Sequence, residues 1–185
     1  MSFIHWIIAA PLIAGLLVYI ATLRTRRLLP QIELAPGEKL PTTTLQRFAG
    51  RTLLIIAVLT GLAAGLVIYH GPQVWWDNDP VRLTFTLVLI VALLAYLIFT
   101  IKIRALESRA DGSFDERDSA ILSGSYAGVG GAMMVIVAVW MVALTEAFHQ
   151  TGLIPSYFLY LIFWSAVMTN VIASIAGILL AYRRI

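Results

Sequence analysis

Long apolar runs separated by short polar stretches make up most of this chain. A helix needs about 20 mostly apolar residues to cross the hydrocarbon of a bilayer. Five segments have that character: 3–23, 52–69, 82–101, 120–147 and 156–182. No water is available inside lipid, so each backbone amide and carbonyl must find its partner within its own segment, and runs of this length are predicted helices. The expected fold is all-α, a polytopic transmembrane bundle of five spans forming a single domain over 1–185. No basic residues precede the first run, and Arg24, Arg26 and Arg27 follow it where a cleaved leader would carry small residues. It is predicted to be a permanent span and not a signal peptide.

The polar stretches carry helix-start signals. Thr43-Thr44-Leu45-Gln46 fits a capping box, so the second helix is predicted to begin there, ahead of its membrane run. Asp79 followed by Pro80 suits the N-cap and first turn of the third helix. Ser113-Phe114-Asp115-Glu116 is a second capping box, which starts the fourth helix near Phe114. Length alone leaves open whether the long fourth and fifth runs tilt or project beyond the hydrocarbon.

Composition turns this pattern into an argument. Hydrophobic residues make up 60% of the 185 and charged residues only 12%, against about 25% charged in a soluble domain. One water-facing core of this size could not bury so much apolar surface. Cysteine is absent, which excludes disulfides, thiolate metal sites and thiol nucleophiles. Of the 13 Lys and Arg residues, twelve flank one side of a five-span arrangement: six in 24–51, four in 102–119 and two at Arg183 and Arg184. Only Arg82 lies on the other side. Basic residues favour the cytoplasmic side, so the N-terminus is expected outside and loops 24–51 and 102–119 inside. The net charge of +3 is then a topology signal and implies no nucleic-acid partner. Trp6, Trp75 and Trp76, with Tyr69 and Tyr157, fall at the outer boundary, where amphipathic rings form interfacial belts. Trp140 and Trp164 lie deeper and could meet inside the bundle.

Candidate chemistry is sparse. Small residues recur every four positions at Ala57, Gly61 and Gly65, at Gly124, Gly128 and Ala132, and at Thr169, Ala173 and Gly177. Such faces let backbones approach closely, so the second, fourth and fifth spans are expected to form the packed core; a homodimer seam through one face is the alternative. The third span lacks such a face and is expected to meet lipid on most sides. Asn170 sits near the middle of the fifth span, where a buried amide needs a partner helix or a polar pocket shared with Ser165, Thr169 and Ser174. No Asp, Glu, Lys, Arg or His lies at mid-membrane depth in these runs, which argues against a proton pump. His5, His70 and His149, with Glu146 one turn before His149, all map to the outer side and are weak candidates for a metal site. No cofactor is expected. The densest charge cluster is Asp115, Glu116, Arg117 and Asp118, whose acidic members complement the positive end of a helix dipole. It matches no EF-hand, and the chain carries no Walker, HExxH, GxSxG or dinucleotide-binding motif.

At this cluster the chain resembles a family of small prokaryotic multi-pass membrane proteins that carry a domain of unknown function. Their cytoplasmic D-E-R-[DE]-x-x-I motif is matched by Asp115-Glu116-Arg117-Asp118-Ser119-Ala120-Ile121, followed by two spans and Tyr182-Arg183-Arg184. The resemblance covers about residues 113–184. It implies a bacterial or archaeal cytoplasmic membrane and no known catalytic activity. The expected role is a non-enzymatic interaction or regulatory subunit, docking a cytoplasmic or membrane protein through its inner loops. A small carrier with a pocket between spans two, four and five is the alternative.

Overall fold

The computed structural model describes residues 43–108, 116–127 and 129–182, and every regular element among them is a helix. The predicted span 3–23, with His5, lies outside the described residues, as do Ser113, Asp115 and Gly128. The helices are α1 (Thr44–His70), α2 (Pro72–Asp77), α3 (Asp79–Glu107), α4 (Glu116–Ala127), α5 (Val129–Phe148) and α6 (Tyr157–Tyr182). Four stretches are long and apolar enough to cross a membrane: α1, α3, Asp118–Phe148 (α4 with α5) and α6.

Helix starts follow local chemistry. Thr43 caps α1 as predicted, its hydroxyl accepting from the amide of Gln46 at 3.1 Å. The cap of α3 falls one residue earlier than expected: Asn78 accepts from the amide of Val81 at 3.3 Å, which moves Asp79 and Pro80 into the first turn. There Asp79 pairs with Arg82. Gly71 joins α1 to α2 at φ 78°, a left-handed backbone that glycine adopts without a Cβ penalty.

Adjacent helices alternate in direction, and two core clusters mark the ends of the bundle. One gathers Leu45, Ala49, Ile56, Phe99, Ile103, Ile121, Ile175, Ile178 and Tyr182. The other gathers Val67, Trp75, Phe85, Leu144, Phe158 and Trp164. The start of α1 and the ends of α3 and α6 therefore share one end with α4. This end also carries the described basic residues Arg47, Arg51, Lys102 and Arg104, while Arg82 stands at the other. Helix α6 is central, with half of its apolar window buried, and α1, α4 and α5 all pack on it.

The second and fourth spans both pack on the fifth, as expected, but among the described residues the second does not do so through Gly61 or Gly65. Helix α1 packs most extensively on α3, and α5 packs mainly on α6. The third span has its own inward stripe of Phe85, Leu89, Ala92, Phe99 and Ile103, although most of its surface is exposed. Helix α1 turns Leu45, Ala49, Thr52, Ile56, Ala63 and Val67 inward. Gly61 and Gly65 lie on the opposite side, and among the described residues a Cβ built on either meets nothing within 4 Å.

Candidate functional site

At the basic end, the predicted motif is partly a structural latch. Asp118 is only 2% exposed and Tyr182 7%, and the Tyr182 hydroxyl donates to an Asp118 carboxyl oxygen. Ile121, one turn on from Asp118, is fully buried against Ile175, Ile178 and Tyr182. Asp118 and Ile121 on α4 thus meet Tyr182 on α6 in one contact. A side chain buried in this way is not a surface docking group, which corrects the reading of Asp118. Glu116 and Arg117 occupy the first turn of α4; Asp115 lies outside the described residues.

Two turns along α4, Ser125 sits against Gly177 of α6. A Cβ on Gly177 would lie 3.1 Å from the Ser125 Cβ and 3.4 Å from its Cα and carbonyl oxygen. This is the one predicted packing glycine for which a close helix–helix approach is seen among the described residues. Gly124, the neighbour of Ser125, is half-buried.

At the opposite end the aromatic residues do more than line an interface. Trp75, on the short helix α2, has no exposed surface. Its ring meets Phe85 edge-on at 4.9 Å and Tyr160 at 6.1 Å. Trp75 is therefore a core plug and not a belt residue, because the Gly71–Pro72 turn folds α2 back over the helix ends. Trp76 keeps an interfacial character, with the Arg82 guanidinium 5.0 Å above its ring. Tyr160 bonds Thr86 at 2.6 Å, tying α6 to α3. Sequence reasoning missed that pair, and the only signal available was a threonine and a tyrosine near the same predicted depth.

The deeper polar groups also brace helices. Trp140 donates its indole N–H to Ser165 at 2.8 Å, joining α5 to α6. It meets the neighbour of Trp164, and both tryptophans share one cluster. Ser165 and Ser174 donate to carbonyls of their own helix, those of Ile162 and Asn170. The predicted polar row is thus partly bonded already. Thr169 and Asn170 are the exceptions: both are half-buried, and among the described residues neither side chain has a hydrogen-bond partner. The indole N–H groups of Trp75 and Trp164 and the Thr60 hydroxyl are also buried without a partner among the described residues.

Of the predicted outer histidines, His70 and His149 lie among the described residues. His70 ends α1 with its ring edge-on to Tyr69, and exposed His149 donates from Nδ1 to the Glu146 carbonyl at 2.9 Å. Among the described residues no three His, Cys, Asp or Glu side chains are grouped to hold a metal. His70, Glu146 and His149 act there as helix-end groups. No family model matches the chain, and no curated protein or solved structure is significantly similar to it.

Proposed function

We propose that this chain is a non-enzymatic interaction subunit of a prokaryotic cytoplasmic membrane, with five spans, its N-terminus outside and its basic end in the cytoplasm. The observation that carries this reading is where its polar side chains go. Tyr182 bonds Asp118, Trp140 bonds Ser165 and Thr86 bonds Tyr160, and each pair ties one helix to another. Polar groups used in this way brace a scaffold. The carrier alternative has less support, since Ser165 and Ser174 are bonded to their own helix.

The docking surface we assign is the cytoplasmic end: the exposed residues Arg47, Arg51, Lys102 and Arg104, together with Asp115, Glu116 and Arg117. Asp118 is left out because it holds α4 in place. The test is cross-linking and pull-down from native membranes, comparing the natural chain with one carrying Asp115→Ser, Glu116→Gln and Arg117→Gln. A partner recovered with the first and lost with the second, at equal folded yield, supports the assignment. Unchanged recovery of the same partner refutes it.

A further inference from the structure

Positions 159, 163, 166, 170, 173 and 177 of α6 follow the alternating four-three spacing of a coiled-coil seam. Its inner part is covered, with Ala173 packed beside Val129 and Ala132 of α5 and Gly177 against Ser125 of α4. Among the described residues its outer part is open. Leu159 is 67% exposed and Phe163 58%, Ala166 is half-buried, and Asn170 stands where the covered and open parts meet.

Asn170 is also the midpoint of the helix, with 13 residues before it and 12 after it in Tyr157–Tyr182. At about 1.5 Å per residue, that places it nearly 20 Å from either end, at the centre of the hydrocarbon. An amide there without a partner is costly, and lipid offers none.

We infer that the open seam is a homodimer interface, in which Asn170 of one copy pairs with Asn170 of a second across a two-fold axis along the membrane normal. An amide carries both donors and an acceptor, so it complements its own image, and the symmetry guarantees that the two lie at equal depth. A single asparagine in such a seam is also a known means of fixing register and favouring two strands. Ala166, one turn away, lets the two α6 helices approach, and Leu159 and Phe163 interlock nearer the outer surface. Another segment of the chain fits less well: residues 7–18 of the predicted first span hold only Ile, Ala, Pro, Leu, Gly and Val, with no side chain able to bond an amide. The inference needs α6 to span a membrane but requires no cytoplasmic partner, so it stands or falls separately from the docking surface.

The test uses the purified full chain in lipid bilayers. Because the chain has no cysteine, Ala166→Cys is a clean probe, with Leu94→Cys on the exposed side of α3 as the control. Oxidation is expected to convert Ala166→Cys, but not Leu94→Cys, to a disulfide dimer. Dimer dissociation followed by energy transfer on dilution is expected to weaken about 3- to 20-fold for Asn170→Val and much less for Asn170→Gln. The Ala166→Cys result leaves Asn170 intact and so stands even if Asn170→Val folds poorly. Equal cross-linking of the two cysteine variants would overturn the inference, as would dimerisation indifferent to Asn170→Val. So would Ala166→Cys pairing with Ala14→Cys within one chain, which would place the predicted first span on this face.

Discussion

Replacing Gly177 by Ala tests the close contact between α4 and α6. The added methyl would stand 3.1 Å from the Ser125 Cβ and 3.4 Å from its Cα and carbonyl oxygen, where carbon atoms prefer about 3.5–4.0 Å. Two of the three obstructing atoms belong to backbone, so a rotamer change cannot clear the space and α4 must shift away from α6. Overpacking of this kind costs about 1–3 kcal/mol, while alanine improves on glycine within a helix by about 0.8–1.0 kcal/mol. The net expectation is a loss of about 0–2 kcal/mol. Coupling to Ser125 is the sharper test. Ser125→Gly removes the nearest obstructing atom, so Gly177→Ala should be better tolerated in that background by about 1 kcal/mol, within the range of coupling between touching residues. Ser125→Ala keeps the Cβ and should give no such relief. Gly61→Ala and Gly65→Ala, with open space around the new methyl, should each stabilise by up to about 1 kcal/mol. Reversible unfolding in mixed detergent micelles measures all of these. If Gly177→Ala stabilised as much as Gly61→Ala, or if its coupling to Ser125→Gly were below about 0.5 kcal/mol, the packing of α4 on α6 as described would be wrong.

Two further outcomes follow from the ends of the bundle. Tyr182→Phe removes the hydroxyl that bonds buried Asp118 and is expected to lower stability by about 1–3 kcal/mol in the same unfolding measurement; a change below about 0.5 kcal/mol, the limit of additivity error, would mean that the latch contributes little. Trp75→Ala should cost about 3–5 kcal/mol, as for other large aromatics removed from a core, whereas half-buried Trp76→Ala should cost clearly less. Equal, small effects at the two positions would restore the reading of both as belt residues.

The sequence by itself determined the long elements but not the short helix α2. Apolar run length located the four spans that the structure describes, because lipid leaves helix as the only economical way to pair the backbone. The cap at Thr43 was legible because it depends on neighbours three residues away, and the cap of α3 slipped by only one position, Asn78 for Asp79. Charge placement, being one-dimensional, anticipated that Arg47, Arg51, Lys102 and Arg104 would share one end. The candidate site was much less legible. Asp118 reads on paper as one more surface acid, and its burial depends on Tyr182, 64 residues away. Gly61, Gly65 and Gly177 have the same spacing signal, yet among the described residues only Gly177 of the three meets another helix, because periodicity names a face without saying what stands opposite. Trp75 became a core residue through a glycine–proline turn that folds α2 inward. Which helix faces which is a matter of three-dimensional packing among surfaces that are all apolar, and no hydrophobic pattern can rank them when lipid is as good a neighbour as leucine. Only the tertiary structure made that choice, and it left Asn170 at the centre of α6, half open and unpaired among the described residues.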